Sequence, residues 1–201
     1  MKRVSLVSGA CRLEGLLQEG HWPDKGVVVT HPHPLCGGDM YNLVVERVAD
    51  AYQRKGYTVL RPNFRGVGNS EGVYDNGRGE RQDVAAARKY LEDLGIVKID
   101  LAGYSFGAWI NSGLDLEVMG PGSQIMISPP VAFMDFSEIA AVSRLKLVVA
   151  GSLDEFAPLA MLVKMVPRWN PDARLEVIPG ADHFYDTFLN DLHQMICSHI
   201  E

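Results

Sequence analysis

The chain has few cysteines, no long hydrophobic run, no excess of basic charge and no low-complexity stretch, and each shortage removes a class of protein. Cys11, Cys36 and Cys197 are odd in number, widely spaced and outside any CxxC or Cys/His ligand spacing. That pattern indicates neither a disulfide framework nor a zinc site; the plain reading of each is a small apolar side chain. No uninterrupted apolar run approaches the roughly 20 residues of a membrane span. The opening MKRVSLVSGACRLEGLL has a short apolar stretch that Arg12 and Glu14 soon break, so no leader segment is read there and a soluble, cytoplasmic protein is expected. Lys and Arg number 19 against 25 Asp and Glu, and the basic residues are scattered, which leaves no electrostatic case for nucleic acid. With 201 residues, 47% of them hydrophobic, and no repeat or linker, the chain is expected to form one domain, 1–201, suited to small-molecule chemistry.

What is present is an alternation of short β-rich runs with helix-length segments. VSLV (4–7) and RLEGLL (12–17) read as an antiparallel pair, and GVVVT (26–30) as a fully buried strand followed by a Gly/Pro-rich loop. Residues 40–55 read as a helix with Leu43, Val44, Val48, Ala51 and Tyr52 on one face, closed by Gly56 before the strand YTVLR (57–61). A second helix is expected over 80–94, with Val84, Ala85, Tyr90 and Leu91 inward, then a strand at 98–102 and a helix after Ser105. The strands QIMIS (124–128), LKLVVAG (145–151) and ARLEVIP (173–179) follow, with helices near 158–168 and 184–199. Apolar strands separated by helices imply an α/β fold, a mainly parallel twisted sheet covered on both faces, with reactive groups at the carboxyl ends of its strands. Only 16 residues separate QIMIS from LKLVVAG, too few for a helical lid domain.

GYSFG (103–107) lies between the apolar run KIDLA and the helix-compatible AWINSGL. Chance alone would supply Gly-x-Ser-x-Gly in about one such chain in ten, so the context carries the weight. A serine hydroxyl attacks only when it faces a base and an electrophile together; a sharp strand-to-helix turn presents it so, and flanking glycines leave room for the close approach. Ser105 is the expected nucleophile. Of the histidines downstream, His193 and His199 fall within the final helix, whereas His183 follows the last strand and suits a base that later protonates a leaving group. Asp154, just past LKLVVAG, completes the chain order Ser, Asp, His and would fix the imidazole tautomer. Three carboxylates compete with it: Asp135 one strand earlier, Glu155 beside it, and Asp182, which would have to fold back on its neighbour.

An oxyanion needs two N–H donors. The backbone N–H of Phe106, at the start of a helix, is one. The second is expected from HPHPLCGGDMYN (31–42), where Pro32 and Pro34 have no N–H and His33 and Leu35 are the candidates. His31 and His33 could pair on a metal, but no nearby Cys, Asp or Glu cluster completes a site, and no metal or cofactor is expected. Cys36 in this loop is expected to border the acyl pocket. RPNFRGVGNSEG (61–72) carries Gly66, Gly68 and Gly72 but is neither GxGxxG nor a Walker loop. Asn63, Phe64 and Arg65 read as packing and hydrogen-bonding support.

Taken together, HPHPLCGG, RPNFRGVGNSEG and GYSFG resemble the corresponding loops of small, lidless serine hydrolases related to dienelactone hydrolases and bacterial esterases, within the α/β-hydrolase superfamily. The resemblance spans the chain, with these loops and the Ser, Asp, His region as its specific part. It implies an α/β-hydrolase fold without a lid, a Ser105, Asp154, His183 triad and ester hydrolysis through an acyl-enzyme; a site without a cap gives little apolar enclosure for a long chain, so small or short-acyl esters are expected. Dienelactone hydrolases use a cysteine where this chain has Ser105, so their substrate does not carry over. A thioesterase or acyltransferase on the same triad is the nearest alternative, and a catalytically idle binding module a more distant one.

Overall fold

The computed structural model describes residues 1–114, 120–142 and 144–201. Eight strands form a sheet: β1 (Lys2–Ser8), β2 (Cys11–Gln18), β3 (Lys25–Thr30), β4 (Thr58–Pro62), β5 (Lys98–Tyr104), β6 (Gln124–Ile127), β7 (Leu145–Gly151) and β8 (Arg174–Ile178), in the order β1-β2-β4-β3-β5-β6-β7-β8. β1 and β2 pair antiparallel, as does β2 with β4; the remaining neighbours run parallel. The helices described are α1 (Leu43–Arg54), α2 (Arg78–Asp93), α3 (Phe106–Ser112), α4 (Leu159–Trp169) and α5 (Leu189–His199).

Period-two alternation explains why the central strands read as unbroken apolar runs. Val27 and Val29 of β3 enter the cluster formed with Val44, Val48 and Tyr52 of α1 and with Leu192 and Ile196 of α5, while Val28 enters the opposite cluster with Val84, Ala87 and Leu91 of α2. β7 repeats this: Leu147 and Val149 face the α1/α5 side, and Val148 and Ala150 meet Leu162 and Val166 of α4. Both faces of the strand are therefore dry, and polar residues have no side to occupy.

Local signals set the helix ends. Asn42 Oδ1 accepts from Val44 N–H and Val45 N–H, which starts α1 at Leu43 instead of residue 40. Gly56, at φ +83°, closes it: its N–H donates to Gln53 O and that of Tyr57 to Tyr52 O, satisfying the last carbonyls. Three expected inward residues are not buried. Leu43, at the first helical position, is exposed, and Ala85 is half-buried while Ala87 takes the core position one turn from Leu91. Tyr90 is half-buried and packs against the edge of the α2-side cluster. The closing helix starts at Leu189, not 184, because Tyr185 adopts φ +58° to turn its ring into the core. His193 and His199 tie α5 down through Asp50 at 2.9 Å and Glu176 at 3.4 Å. Between β6 and β7 the described residues contain no helix. Among the described residues, no helix is long and apolar enough to cross a membrane.

β4 lies on one side of β3 and β5 on the other. The chain thus reverses its direction of winding at β3, and loops leaving the carboxyl ends of β3 and β5 part to opposite faces and open a crevice. The loop 31–42 and Ser105 are the segments that leave there.

Candidate active site

Ser105 follows the last residue of β5 and precedes the first of α3, with φ +53° and ψ −116°. A non-glycine residue held at positive φ is strained. The surroundings enforce the turn. Ser105 N–H donates to Ile127 O at 2.9 Å, and Ala108 N–H returns to Ser105 O at 2.9 Å. The flanking glycines are demanded by contact: a Cβ on Gly103 would lie 2.5 Å from Ala108 N, and one on Gly107 would lie 2.6 Å from Thr30 O. Strand and helix approach too closely for any side chain at either position.

His183, in the loop after β8, places Nε2 3.0 Å from Ser105 Oγ and Nδ1 2.9 Å from Asp154 Oδ2. Only a donor at Nδ1 suits an ionised carboxylate, so the Nδ1–H tautomer leaves Nε2 as the acceptor for the serine hydroxyl. Asp154, just past β7, is buried, and its Oδ1 also accepts from Phe156 N–H at 2.9 Å and Ala157 N–H at 2.8 Å. Burial by itself would raise this carboxyl, but hydrogen bonding and charge from His183, with help from Ser128 and Ala157, hold it below its ordinary value. The rival carboxylates are engaged elsewhere. Asp135 is exposed and accepts from Ser137 N–H; Asp182 is exposed and accepts from Phe184 and Tyr185 N–H; Glu155 is exposed.

The histidine loop is tied from below by groups the sequence reading overlooked. Tyr104, the second residue of GYSFG, donates its OH to His183 O at 2.9 Å. Tyr185 OH and Ser128 Oγ lie 2.7 Å apart, and Leu153 N–H donates to Ala181 O at 2.9 Å. Each tie comes from a residue within three positions of Ser105, Asp154 or His183, or from the end of β6. Proximity in sequence was the available signal; the direction of each hydroxyl was not.

In the loop after β3, Pro34–Cys36 form a short 3-10 turn. Leu35 N–H donates to His33 Nδ1 at 3.2 Å, and the Leu35 side chain is 72% exposed. The backbone N–H groups of His33 and Phe106 have no hydrogen-bond partner among the described residues, and the His33 and Phe106 rings touch, with centroids 4.7 Å apart. His31 is committed on both ring nitrogens: Nδ1 donates to Pro32 O at 2.7 Å and Nε2 accepts from Phe64 N–H at 3.0 Å, and burial pushes its pKa down to about 4. It thus ties the β3 loop to the β4 loop. Asn63 Oδ1 accepts from Met40 N–H, and Arg65 bonds Asp83, the supporting parts expected of these residues. Among the described residues, no three His, Cys, Asp or Glu side chains gather as metal ligands.

Ser105 and His183 open into a cavity of about 580 Å³. Its lining includes Cys36 and Gly37 of the β3 loop together with Phe133, Phe156 and Phe184. Cys36 is exposed there, on the rim expected from its place in the loop.

This fold and this crevice are those of an α/β hydrolase. The profile of the alpha/beta hydrolase family matches residues 27–195, and the chain belongs to that family. An uncharacterized protein of Rickettsia prowazekii is 36% identical over 185 residues, 87% of this chain and 78% of its own length. Among solved structures, an alpha-beta serine hydrolase homologue from Coxiella burnetii matches with a TM-score of 0.91 and 30% identity, over 100% of this chain and 97% of that one. A serine hydrolase without a lid from Xanthomonas campestris matches with a TM-score of 0.88 and 29% identity, over 98% and 92% of the two chains. The chain is accordingly a hydrolase built on the lidless version of the fold.

Proposed function

We propose that the protein is a serine hydrolase that cleaves small or short-acyl carboxylic esters through an acyl-enzyme, with Ser105 as nucleophile, His183 as acid and base, and Asp154 as its orienting carboxylate. The observation that carries this reading is the unbroken hydrogen-bonded chain from the Asp154 carboxylate through both nitrogens of His183 to Ser105 Oγ, ending in the cavity. In acylation Ser105 Oγ bonds the carbonyl carbon as its proton passes to Nε2. The carbonyl oxygen, now an anion, takes the two unpartnered N–H groups of Phe106 and His33; Leu35, whose N–H is held by the His33 ring, is the weaker candidate. The bond to the alcohol breaks, and Nε2 returns the proton to the departing oxygen. Water then attacks the acyl-enzyme by the same route, releasing the acid and restoring Ser105.

Among the described residues that line the cavity there is no Lys, Arg, Asp or Glu, which favours neutral esters over phosphate-bearing thioesters. The test pairs labelling by a fluorophosphonate with turnover of p-nitrophenyl esters of increasing acyl length. Labelling at Ser105 and turnover that declines as the acyl chain lengthens support the reading. A wild-type protein that neither labels nor turns over any of the series refutes it.

A further inference from the structure

The cavity lining combines two kinds of residue. Near His33 its wall is small, made of Cys36, Gly37 and Gly38. Around His183 it is made of rings. Phe133 and Phe156 stack with centroids 4.6 Å apart and 26° between planes, and Phe156 continues onto the His183 imidazole at 4.5 Å and 31°. Phe184 stands nearly perpendicular to this column, at 78° to Phe156 and 90° to His183. These three phenylalanines come from the loops after β6, β7 and β8. Phe133 is 68% exposed and Phe184 57% exposed. Neither ring is needed to fill the core. An exposed apolar cluster gathered around a reactive group from separate loops is a binding surface, and the described lining residues, none of them Lys, Arg, Asp or Glu, suit a neutral occupant.

Reaction geometry says which half of an ester reaches the rings, and this step rests on the ester-hydrolase reading above. When Ser105 Oγ has bonded the carbonyl carbon, Nε2 of His183 holds the serine proton. Breaking the bond to the alcohol delivers that proton to the departing oxygen, so the oxygen must come within hydrogen-bond reach of Nε2. Its substituent then lies beside the imidazole, against Phe156, Phe184 and Phe133. The acyl group is left the small wall at Cys36–Gly38. We infer that the site selects esters of neutral aromatic alcohols, of the arylmethyl type, and that the ring column is the determinant of leaving-group specificity.

Benzyl acetate and methyl phenylacetate are isomers that carry one ring on opposite sides of the ester, and their leaving alcohols are similar in basicity. Their ratio of kcat/KM therefore reports where the ring is held. The expected ratio favours benzyl acetate by about tenfold, the worth of one well-made aromatic contact, and Phe133→Leu, with Phe184→Leu as a second variant, brings it close to one. Equal use of the isomers, preference for methyl phenylacetate, or a ratio unchanged in both variants overturns the inference. Ethyl acetate turnover and fluorophosphonate labelling report separately on the esterase reading. If wild type shows neither, that reading falls while the ring site is still decided by ligand-observed NMR with benzyl alcohol: binding lost in Phe133→Leu supports it, and equal binding refutes it.

Discussion

At the scale of the residue, the hydroxyl of Ser105 and the carboxylate of Asp154 differ in what their loss should cost. Ser105→Ala removes the attacking atom at a turn whose backbone is held by other groups, so turnover is expected to fall by about a millionfold while the circular dichroism spectrum and melting temperature stay near wild type. Residual activity within tenfold of wild type would mean that another group attacks. Asp154→Asn can no longer hold the Nδ1–H tautomer, and a loss of roughly 10⁴ in turnover is expected. Asp135→Asn should change turnover little, since the exposed Asp135 carboxylate is engaged with Ser137. The reverse ranking, read from initial rates on one ester, would move the acid to the preceding strand. Cys36, exposed on the cavity rim, should react with a bulky maleimide and slow hydrolysis, and Cys36→Ser should remove that sensitivity.

At the scale of the element, the strand-to-helix turn and the tie between two loops make the site rigid. Gly107→Ala would drive a methyl group against the backbone of Thr30 and push α3 from β3, at an expected cost of about 1–3 kcal/mol measured by urea unfolding. Equal stability would mean that the two elements can part without loss. The β3 and β4 loops are joined through the neutral His31 ring, whose pKa is pushed down from 6.5 to about 4 by burial. The sign follows from where protons bind. The unfolded chain takes up a proton near pH 6.5 and the folded chain only near pH 4, so this contribution is fully present above the unfolded value. It is lost as pH falls through the interval, by about 3 kcal/mol in all. His31→Gln should therefore show a shallower decline of unfolding free energy between pH 7 and pH 4 than wild type. Parallel curves for the two proteins would show that His31 is not the titrating tie.

At the scale of the whole molecule, the site depends on the sheet's far edge as well as its centre. β1 and β2 lie outside the 27–195 segment matched by the family profile, yet Leu6, Leu13 and Leu17 belong to the α2-side core. Glu14 O accepts from Asn63 N–H, and the Glu14 carboxylate bonds Asn63 Nδ2 and Asn69 N–H, so the antiparallel pair also braces the β4 loop. Deleting residues 1–18 would uncover the edge of β4 together with Leu60 and Phe64. The expected product elutes as aggregates in size-exclusion chromatography, because an exposed apolar edge strand pairs with its like. A soluble monomer with wild-type activity would contradict this account of the N-terminal strands.

The parallel sheet was legible because its strands are buried on both faces and so announce themselves as continuous apolar runs, and the first helix end because Gly56 alone suits a positive φ. Ser105 was legible for a similar reason: the turn that exposes it forbids side chains at 103 and 107, and that prohibition is written in the residue types. What sequence periodicity left open was direction. Leu43 and Ala85 fit a helical stripe but miss the core, since a helix's rotation about its axis is set by what it packs against. Asp135, Glu155 and Asp182 were as acidic as Asp154; only the tertiary structure, which buries one carboxylate beside Nδ1 and leaves the others in water, distinguishes them. Nor does the residue pattern show that the Leu35 N–H is held by the His33 ring, a hydrogen bond inside their own loop. The rings around His183 were invisible as a group because Phe133, Phe156 and Phe184 come from three separate loops, and the winding of the sheet alone brings those loops to one edge.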